Sequence, residues 1–252
     1  MVKTGLVSVT FRKLSPGDII KLVSEAALDG IEWGGDIHVP HGDTKKAEEV
    51  AQMTQDAGLS VAAYGSYYYL GCEEEKKLPF ERVLETAIEL KAPVIRVWAG
   101  NRASSNADQA YLDMAFAEAR RIADMALKEG IKVAFEYHAN TLTDTNESAF
   151  KLLKSINHSN MYSYWQPPVN LDAEQRLEGL NKILPWLSNI HAYYWESGSK
   201  KPLEDGINEW SKYMQVINNL EGDRYCMLEF VKDDTPEQFL KDAKVLKTIV
   251  SR

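Results

Sequence analysis

The stretch IKVAFEYHAN, Ile131 to Asn140, decides the reading of this chain. Val133, Ala134 and Phe135 form an apolar run that leads directly into Glu136, Tyr137 and His138. A carboxylate that closes an apolar run is costly to bury unless a partner compensates its charge. A metal ion is one such partner. The stretch therefore predicts a buried strand with a site at its carboxyl end, completed by residues from other strands.

On both sides of this stretch the same unit recurs: a short apolar run, a loop, then a longer amphipathic run. Strands are expected at Val2–Thr10, Gly30–Trp33, Leu59–Tyr64, Pro93–Trp98, Ile131–Glu136, Met161–Trp165, Leu187–Tyr194 and Tyr225–Phe230. Helices are expected from Ser15-Pro16 to about Leu28, from Asp43 to Ala57, and near Leu78–Leu90. Further helices follow at Asn106–Glu129, Thr145–Ser155, Ala173–Leu184, Gly206–Leu220, and from Thr235-Pro236 to Val250. Ser or Thr before Pro is a helix start, and Gly58 and Gly130 sit where glycine ends one. Eight strand–helix units without a linker or composition break predict a single-domain (β/α)8 TIM barrel, an α/β fold over residues 1–252. A doubly wound sheet is disfavoured, because no glycine-rich phosphate turn follows the first strand.

Composition narrows the function. The chain has 252 residues, 44% of them hydrophobic and 26% charged, with 29 Lys and Arg against 37 Asp and Glu and a net charge of −8. Phosphate-backbone binding wants a basic footprint, so nucleic acid is not an expected partner. No apolar run approaches the roughly 18 residues of a membrane span. The opening MVKTGLVSVTFRKL lacks a long apolar segment, so no secretory signal is expected and the cytoplasm is the default. Cys72 and Cys226 are too few for a disulfide framework and read as reduced filler.

In such a barrel the site lies at the carboxyl ends of the strands. Strand five ends in Glu136, strand six in Gln166, and strands seven and eight carry His191 and Glu229. Side chains alternate faces along a strand. If these polar groups face the axis, then Val133, Phe135, Ile190, Ala192, Leu228 and Phe230 face the helices, as an apolar jacket requires. Two carboxylates, an imidazole and an amide oxygen suit Mn²⁺, Mg²⁺, Co²⁺ or Zn²⁺. Taken singly, a histidine of this kind is more often a core or surface group and a strand-end glutamate often only a salt-bridge partner. Their matching positions favour the site.

Around that set, Glu32 and Trp33 end strand two, with Trp33 expected to contact substrate, and His38 and His41 follow in its loop, either to bind a substrate hydroxyl or phosphate or as solvated groups beside Pro40. Tyr64 and Trp98 end strands three and four and are expected as apolar walls for a substrate ring, with plain packing at the barrel rim as the alternative. Arg96 alternates with Ile95 and Val97 and is expected to point inward, to substrate or to a structural ion pair. His138 joins the substrate-binding set. Tyr67, Tyr68 and Tyr69 read as a loop, either a lid or surface packing. Glu196 and Lys200 read as solvated.

The motifs GIEWGGDIHVPHGD (30–43), FEYHANTLTDTNES (135–148), NIHAYYW (189–195) and MLEF (227–230) together resemble the xylose-isomerase-like TIM-barrel superfamily, in its sugar phosphate isomerase/epimerase branch. The resemblance implies metal ligands at Glu136, Gln166, His191 and Glu229, where the family carries Glu, Asp, His and Glu. Gln166 departs from the pattern; Asn170, just downstream, is an alternative oxygen. The family chemistry implies a metal-chelated ketone, proton transfer through an enediolate, and Glu136 and Glu229 as the acid/base pair. The leading expectation is an isomerase or epimerase of a small sugar, keto-sugar or sugar phosphate. A keto-inositol dehydratase using the same site and a non-catalytic sugar-binding barrel are the alternatives. An endonuclease acting at abasic sites is disfavoured by the few histidines and the acidic charge. The family often forms dimers or tetramers, so a homo-oligomer is compatible.

Overall fold

The computed structural model of the chain describes residues 1–251. Eight parallel strands close into a barrel in the order β1-β10-β7-β6-β5-β4-β3-β2, with β1 pairing β2 to complete the ring. These are β1 (Val2–Val7), β2 (Gly30–Gly34), β3 (Ser60–Tyr69), β4 (Val94–Trp98), β5 (Lys132–Phe135), β6 (Met161–Trp165), β7 (Leu187–Ala192) and β10 (Arg224–Leu228). A short antiparallel hairpin, β8 (Tyr194–Glu196) and β9 (Ser199–Lys201), rises from the loop after β7. The single-domain TIM barrel expected from the repeating pattern is the observed fold.

Helices α1 (Pro16–Glu25), α2 (Thr44–Asp56), α3 (Glu73–Lys76), α4 (Phe80–Glu89), α5 (Gln109–Lys128), α6 (Asn146–Ile156), α7 (Ala173–Ile183), α8 (Ile207–Ile217) and α9 (Pro236–Val250) occupy the crossovers. Their starts are set by side-chain caps that satisfy orphan amides. Ser15, Asp43, Asp108 and Thr235 each accept from an amide three residues on, and Thr145 and Asp172 form capping boxes. Gly58 and Gly130 end α2 and α5 at φ +73° and +69°, a conformation that costs side-chain-bearing residues. The long helix starts at Gln109 rather than Asn106 because the cap is Asp108.

The largest departures from the expected strand boundaries are at β1 and β3, while β7 and β10 end two residues early, at Ala192 and Leu228. β1 stops at Val7, and Ser8–Phe11 turn into a 3₁₀ segment. β3 runs on to Tyr69, so Tyr67–Tyr69 belong to a strand and not to a free loop. The extension holds a bulge: the register to β4 slips between Gly65 and Tyr68, and Tyr67 lies at φ +52°.

Alternation builds the layers. Val7, Ala62, Val94, Ala134, Tyr164, Tyr225 and Met227 fill the barrel interior, and the outward-facing residues join the larger cluster under the helices. Trp165, fully buried on β6, packs edge-on against Trp210 and Tyr213 of α8 at centroid distances of 6.1 and 5.0 Å. Truncating such a residue to alanine costs about 3–5 kcal/mol. No helix is long and apolar enough to cross a membrane among the described residues.

Candidate metal centre and active-site cavity

The strand ends expected to carry a site do bring their polar groups together. Glu136 follows β5, Gln166 follows β6, His191 lies within β7 and Glu229 follows β10. His191 Nδ1 is 2.9 Å from Gln166 Oε1, 3.2 Å from Glu229 Oε2 and 3.7 Å from Glu136 Oε1. Ligand atoms of Glu136, His191 and Glu229 all lie within 4.8 Å of one another, and all three residues are buried. Gln166 is pinned by its own Nε2, which donates to the Tyr137 carbonyl at 2.7 Å and turns Oε1 toward the cluster. Asn170 is exposed and lines the cavity, whereas Gln166 makes the contact to His191.

This donor set fits a divalent ion. Two carboxylate oxygens balance its charge, and the imidazole nitrogen and amide oxygen are neutral donors matched to Mn²⁺, Mg²⁺, Co²⁺ or Zn²⁺. The electrostatics point the same way. Burial drives the His191 ring toward its neutral form, yet Glu229 and Glu32 draw its pKa up to about 10. The cluster thus attracts positive charge strongly.

A second layer supports the first. His191 Nε2 faces Glu32 Oε2 at 3.4 Å, and Glu32 Oε1 accepts from Arg96 Nε at 2.6 Å. Burial would raise the Glu32 carboxyl, but Arg96 and His191 outweigh it and hold the pKa at about 2. Arg96 Nη1 and Trp98 Nε1 both donate to Glu136 Oε2, leaving Oε1 toward His191. Arg96 and Glu32 pair this closely because Gly65 has no side chain: a Cβ there would lie 2.6 Å from Arg96 Nη2 and 2.8 Å from Glu32 Oε1.

Above the cluster opens a cavity of about 760 Å³. Trp98 and His138 form one wall, stacked with ring centroids 4.1 Å apart and planes 24° from parallel. His138 Nδ1 lies 2.8 Å from the Ala139 carbonyl. A carbonyl only accepts, so Nδ1 carries the proton and Nε2 is the basic nitrogen. Tyr67, Tyr193, Trp195 and Phe230 supply further aromatic surface. Tyr137 and Trp195 each keep a buried polar atom without a hydrogen-bond partner, the hydroxyl and Nε1 respectively.

Three expected substrate contacts are corrected. Trp33 points at α2, where its Nε1 donates to Thr54 Oγ1 at 3.2 Å; strand parity puts its neighbour Glu32 inside instead. Tyr64 is fully buried on the helix side, its hydroxyl donating to the Val39 carbonyl at 2.9 Å. His38 is buried beneath its loop with Nδ1 2.9 Å from Ser8 Oγ, and burial pushes its pKa down, which keeps it neutral. These residues fasten the β2–α2 loop and do not line the cavity. His41 is held likewise by the Ser66 carbonyl. Arg96 faces inward as expected and makes a structural ion pair, the alternative to a substrate contact, with Glu32 and Glu136. Lys200 pairs with Asp234 at 2.6 Å, and Glu196 is exposed. The sequence reading missed Glu32 as the partner of His191 and Arg12 as a lining residue; the alternation of GIEWG was the available signal for Glu32.

Comparison with known proteins agrees with this architecture. The sequence pattern described as Xylose isomerase-like TIM barrel matches residues 20–249. The chain belongs to that family. It is 22% identical over 280 residues to a 3-dehydroshikimate dehydratase of Bacillus anthracis, covering 97% of this chain and 96% of the relative. Among solved structures, the probable 3-DHS dehydratase of petrobactin synthesis from Bacillus anthracis superposes with a TM-score of 0.81 at 22% identity, covering 98% of this chain and 99% of the other. D-Psicose 3-epimerase of Clostridium cellulolyticum H10 with D-tagatose superposes with a TM-score of 0.77 at 12% identity, covering 99% of each chain. A xylose isomerase-like barrel protein of Mycobacterium smegmatis in complex with magnesium also gives 0.77, at 16% identity, covering 100% of this chain and 97% of the other.

Proposed function

We propose that this chain is a divalent-metal-dependent lyase that removes water from a cyclic, polyhydroxylated ketone, with 3-dehydroshikimate as the first substrate to test. The observation that carries this reading is one cavity lined by Glu136, Gln166 and Glu229, with His191 buried against them to complete the ligand set, and by two proton-handling groups, Glu229 and His138. The near-full-length similarity to a 3-dehydroshikimate dehydratase favours elimination over the isomerisation expected from the motifs.

Glu136, Gln166, His191 and Glu229 would hold the ion, which when bound supplies Lewis-acid polarisation of the substrate carbonyl. The protein's own groups do the rest. His138 Nε2, its tautomer fixed by Ala139, accepts the proton on the carbon beside the carbonyl. The C–H electron pair forms the new double bond, the adjacent C–O bond breaks, and the imidazolium returns the proton to the departing hydroxyl as water. From 3-dehydroshikimate, enolisation then gives 3,4-dihydroxybenzoate. Glu136 is poorly placed as a base, because Arg96 and Trp98 occupy its Oε2. Glu229 has one carboxylate oxygen toward His191 and serves as the second proton carrier. Trp98 buttresses His138 by stacking and walls off one side of the cavity.

A second reading, epimerisation, is favoured by one observation: His138 and Glu229 stand three strands apart round the barrel, so each reaches a different face of a bound ring. The mass of the product separates the two readings. Incubation of Mn²⁺-supplemented protein with 3-dehydroshikimate is expected to give an aromatic product one water lighter. An isobaric product, or no consumption, contradicts the lyase reading.

A further inference from the structure

The cationic groups of the cavity wall are not equivalent. Arg96 is fully buried and committed to Glu32 and Glu136. Arg12 sits beyond β1 at the mouth, its side chain 47% exposed. Asp36 takes Nη1, and Nη2 lies 3.4 Å from the Tyr67 hydroxyl. A guanidinium has five N–H donors in a planar fork, so these contacts aim the group without exhausting it.

Tyr67 links the two arginines. Its ring centroid lies 4.9 Å from Arg96 Cζ and 5.9 Å from Arg12 Cζ. The residue holds φ +52° inside the β3 bulge, a left-handed conformation that is strained for a side-chain-bearing residue. Strain of this kind persists where the surroundings over-determine it, and here it sets an aromatic ring against both guanidinia. The result is a chain from the metal-site floor to the rim: Glu136, Arg96, Tyr67, Arg12, Asp36. With Arg96 committed to carboxylates, the outer guanidinium is the cavity's accessible strong cation, in a lining whose acidic residues are Glu136, Asp144 and Glu229.

We propose that Arg12 recognises a carboxylate on the substrate, with Asp36 and Tyr67 as its positioning residues, so that the cavity selects cyclic ketones bearing an acid group over neutral sugars. This rests on the dehydratase reading for its ring chemistry. A planar fork matches a carboxylate bidentately. It would hold the acid end of the ring at the mouth while the carbonyl end lies over Glu136, Gln166, His191 and Glu229.

The test uses shikimate, which keeps the ring, hydroxyls and carboxylate but has no ketone to react, against its neutral methyl ester. Both are titrated calorimetrically into Mn²⁺-supplemented wild-type, R12M and R12K protein. Charge-assisted contacts of this type are worth about 10- to 100-fold in affinity, so wild type is expected to prefer the acid by at least about tenfold. R12M should bring the ratio to about one, and R12K should retain part of it because lysine keeps the charge without the fork. A wild type without preference, or a preference undiminished in R12M, overturns the proposal. An Arg12-dependent preference in protein that does not dehydrate 3-dehydroshikimate would leave the anion site standing and remove the reaction assigned above.

Discussion

His191 and Glu32 meet inside the barrel, Nε2 to Oε2 at 3.4 Å, with neither side chain exposed to solvent. That contact fixes the ring so that Nδ1 turns to Gln166, Glu229 and Glu136. A ligand histidine held by an outer carboxylate is both oriented and made more basic. Removing the outer carboxylate should therefore weaken the site without touching a ligand. Glu32→Gln is expected to lower Mn²⁺ affinity about 10- to 100-fold by calorimetry. Affinity equal to wild type in a folded variant would show that Glu32 has no hold on the metal centre.

Replacing His138 separates proton transfer from metal binding. His138→Gln should reduce kcat on 3-dehydroshikimate by about 10²–10⁴, the usual contribution of a positioned proton carrier. Metal content should not change, because His138 lies on the cavity wall and outside the ligand cluster. Retained kcat would return the proton transfer to the carboxylates alone.

Gln166 sets the charge of the centre. Gln166→Glu preserves length and adds a formal negative charge beside the ion, so Mn²⁺ affinity should rise by about tenfold or more. The same change removes the donor to the Tyr137 carbonyl, with an expected stability loss of about 1 kcal/mol in metal-free protein. Unchanged affinity by calorimetry would show that the residue at 166 is not a ligand.

A polar cluster away from the site gives a pH test. Tyr68 and Arg121 converge on Glu118, and Arg121 also reaches Glu73 and Glu81, tying α5 to β3, α3 and α4. Burial raises the Glu118 carboxyl, but hydrogen bonds from Arg121 and Tyr68 outweigh it and leave the pKa below its ordinary value of 4.5. A depressed carboxyl contributes stability above its unfolded pKa and loses it as pH falls through the folded one. Glu118→Gln should therefore cost about 1 kcal/mol at pH 7, discounted for the partial exposure of Arg121. The difference from wild type should shrink as pH falls below 4.5, as denaturant titrations at several pH values would show. A pH-independent difference would mean that the cluster acts only through packing.

The fold was legible because its signals are local and repeated: capping residues such as Ser15, Asp43 and Thr235, glycine stops, and short apolar runs. The ligand set was legible because Glu136, Gln166, His191 and Glu229 sit at equivalent strand ends, and strand parity orients them. Arg96 was readable as inward-facing, but its carboxylate partners arrive from β2 and from the end of β5 and were not. Trp33 and Tyr64 misled because an aromatic at a strand end reads the same whether it faces the cavity or the helices. The bulge at Tyr67 was invisible in SYYY, since nothing in three tyrosines announces a left-handed backbone. Arg12 could not be placed because β1 ends early and its 3₁₀ turn carries the side chain to the mouth.

Glu136, Gln166, His191 and Glu229 are expected to grip one divalent ion together. Mn²⁺ titration calorimetry of chelator-treated protein, wild type against Glu229→Gln, reads this out. Wild type should show one site per chain and the variant a large loss of affinity, with the fold intact by circular dichroism. No binding in wild type, or binding undiminished in Glu229→Gln, would contradict it.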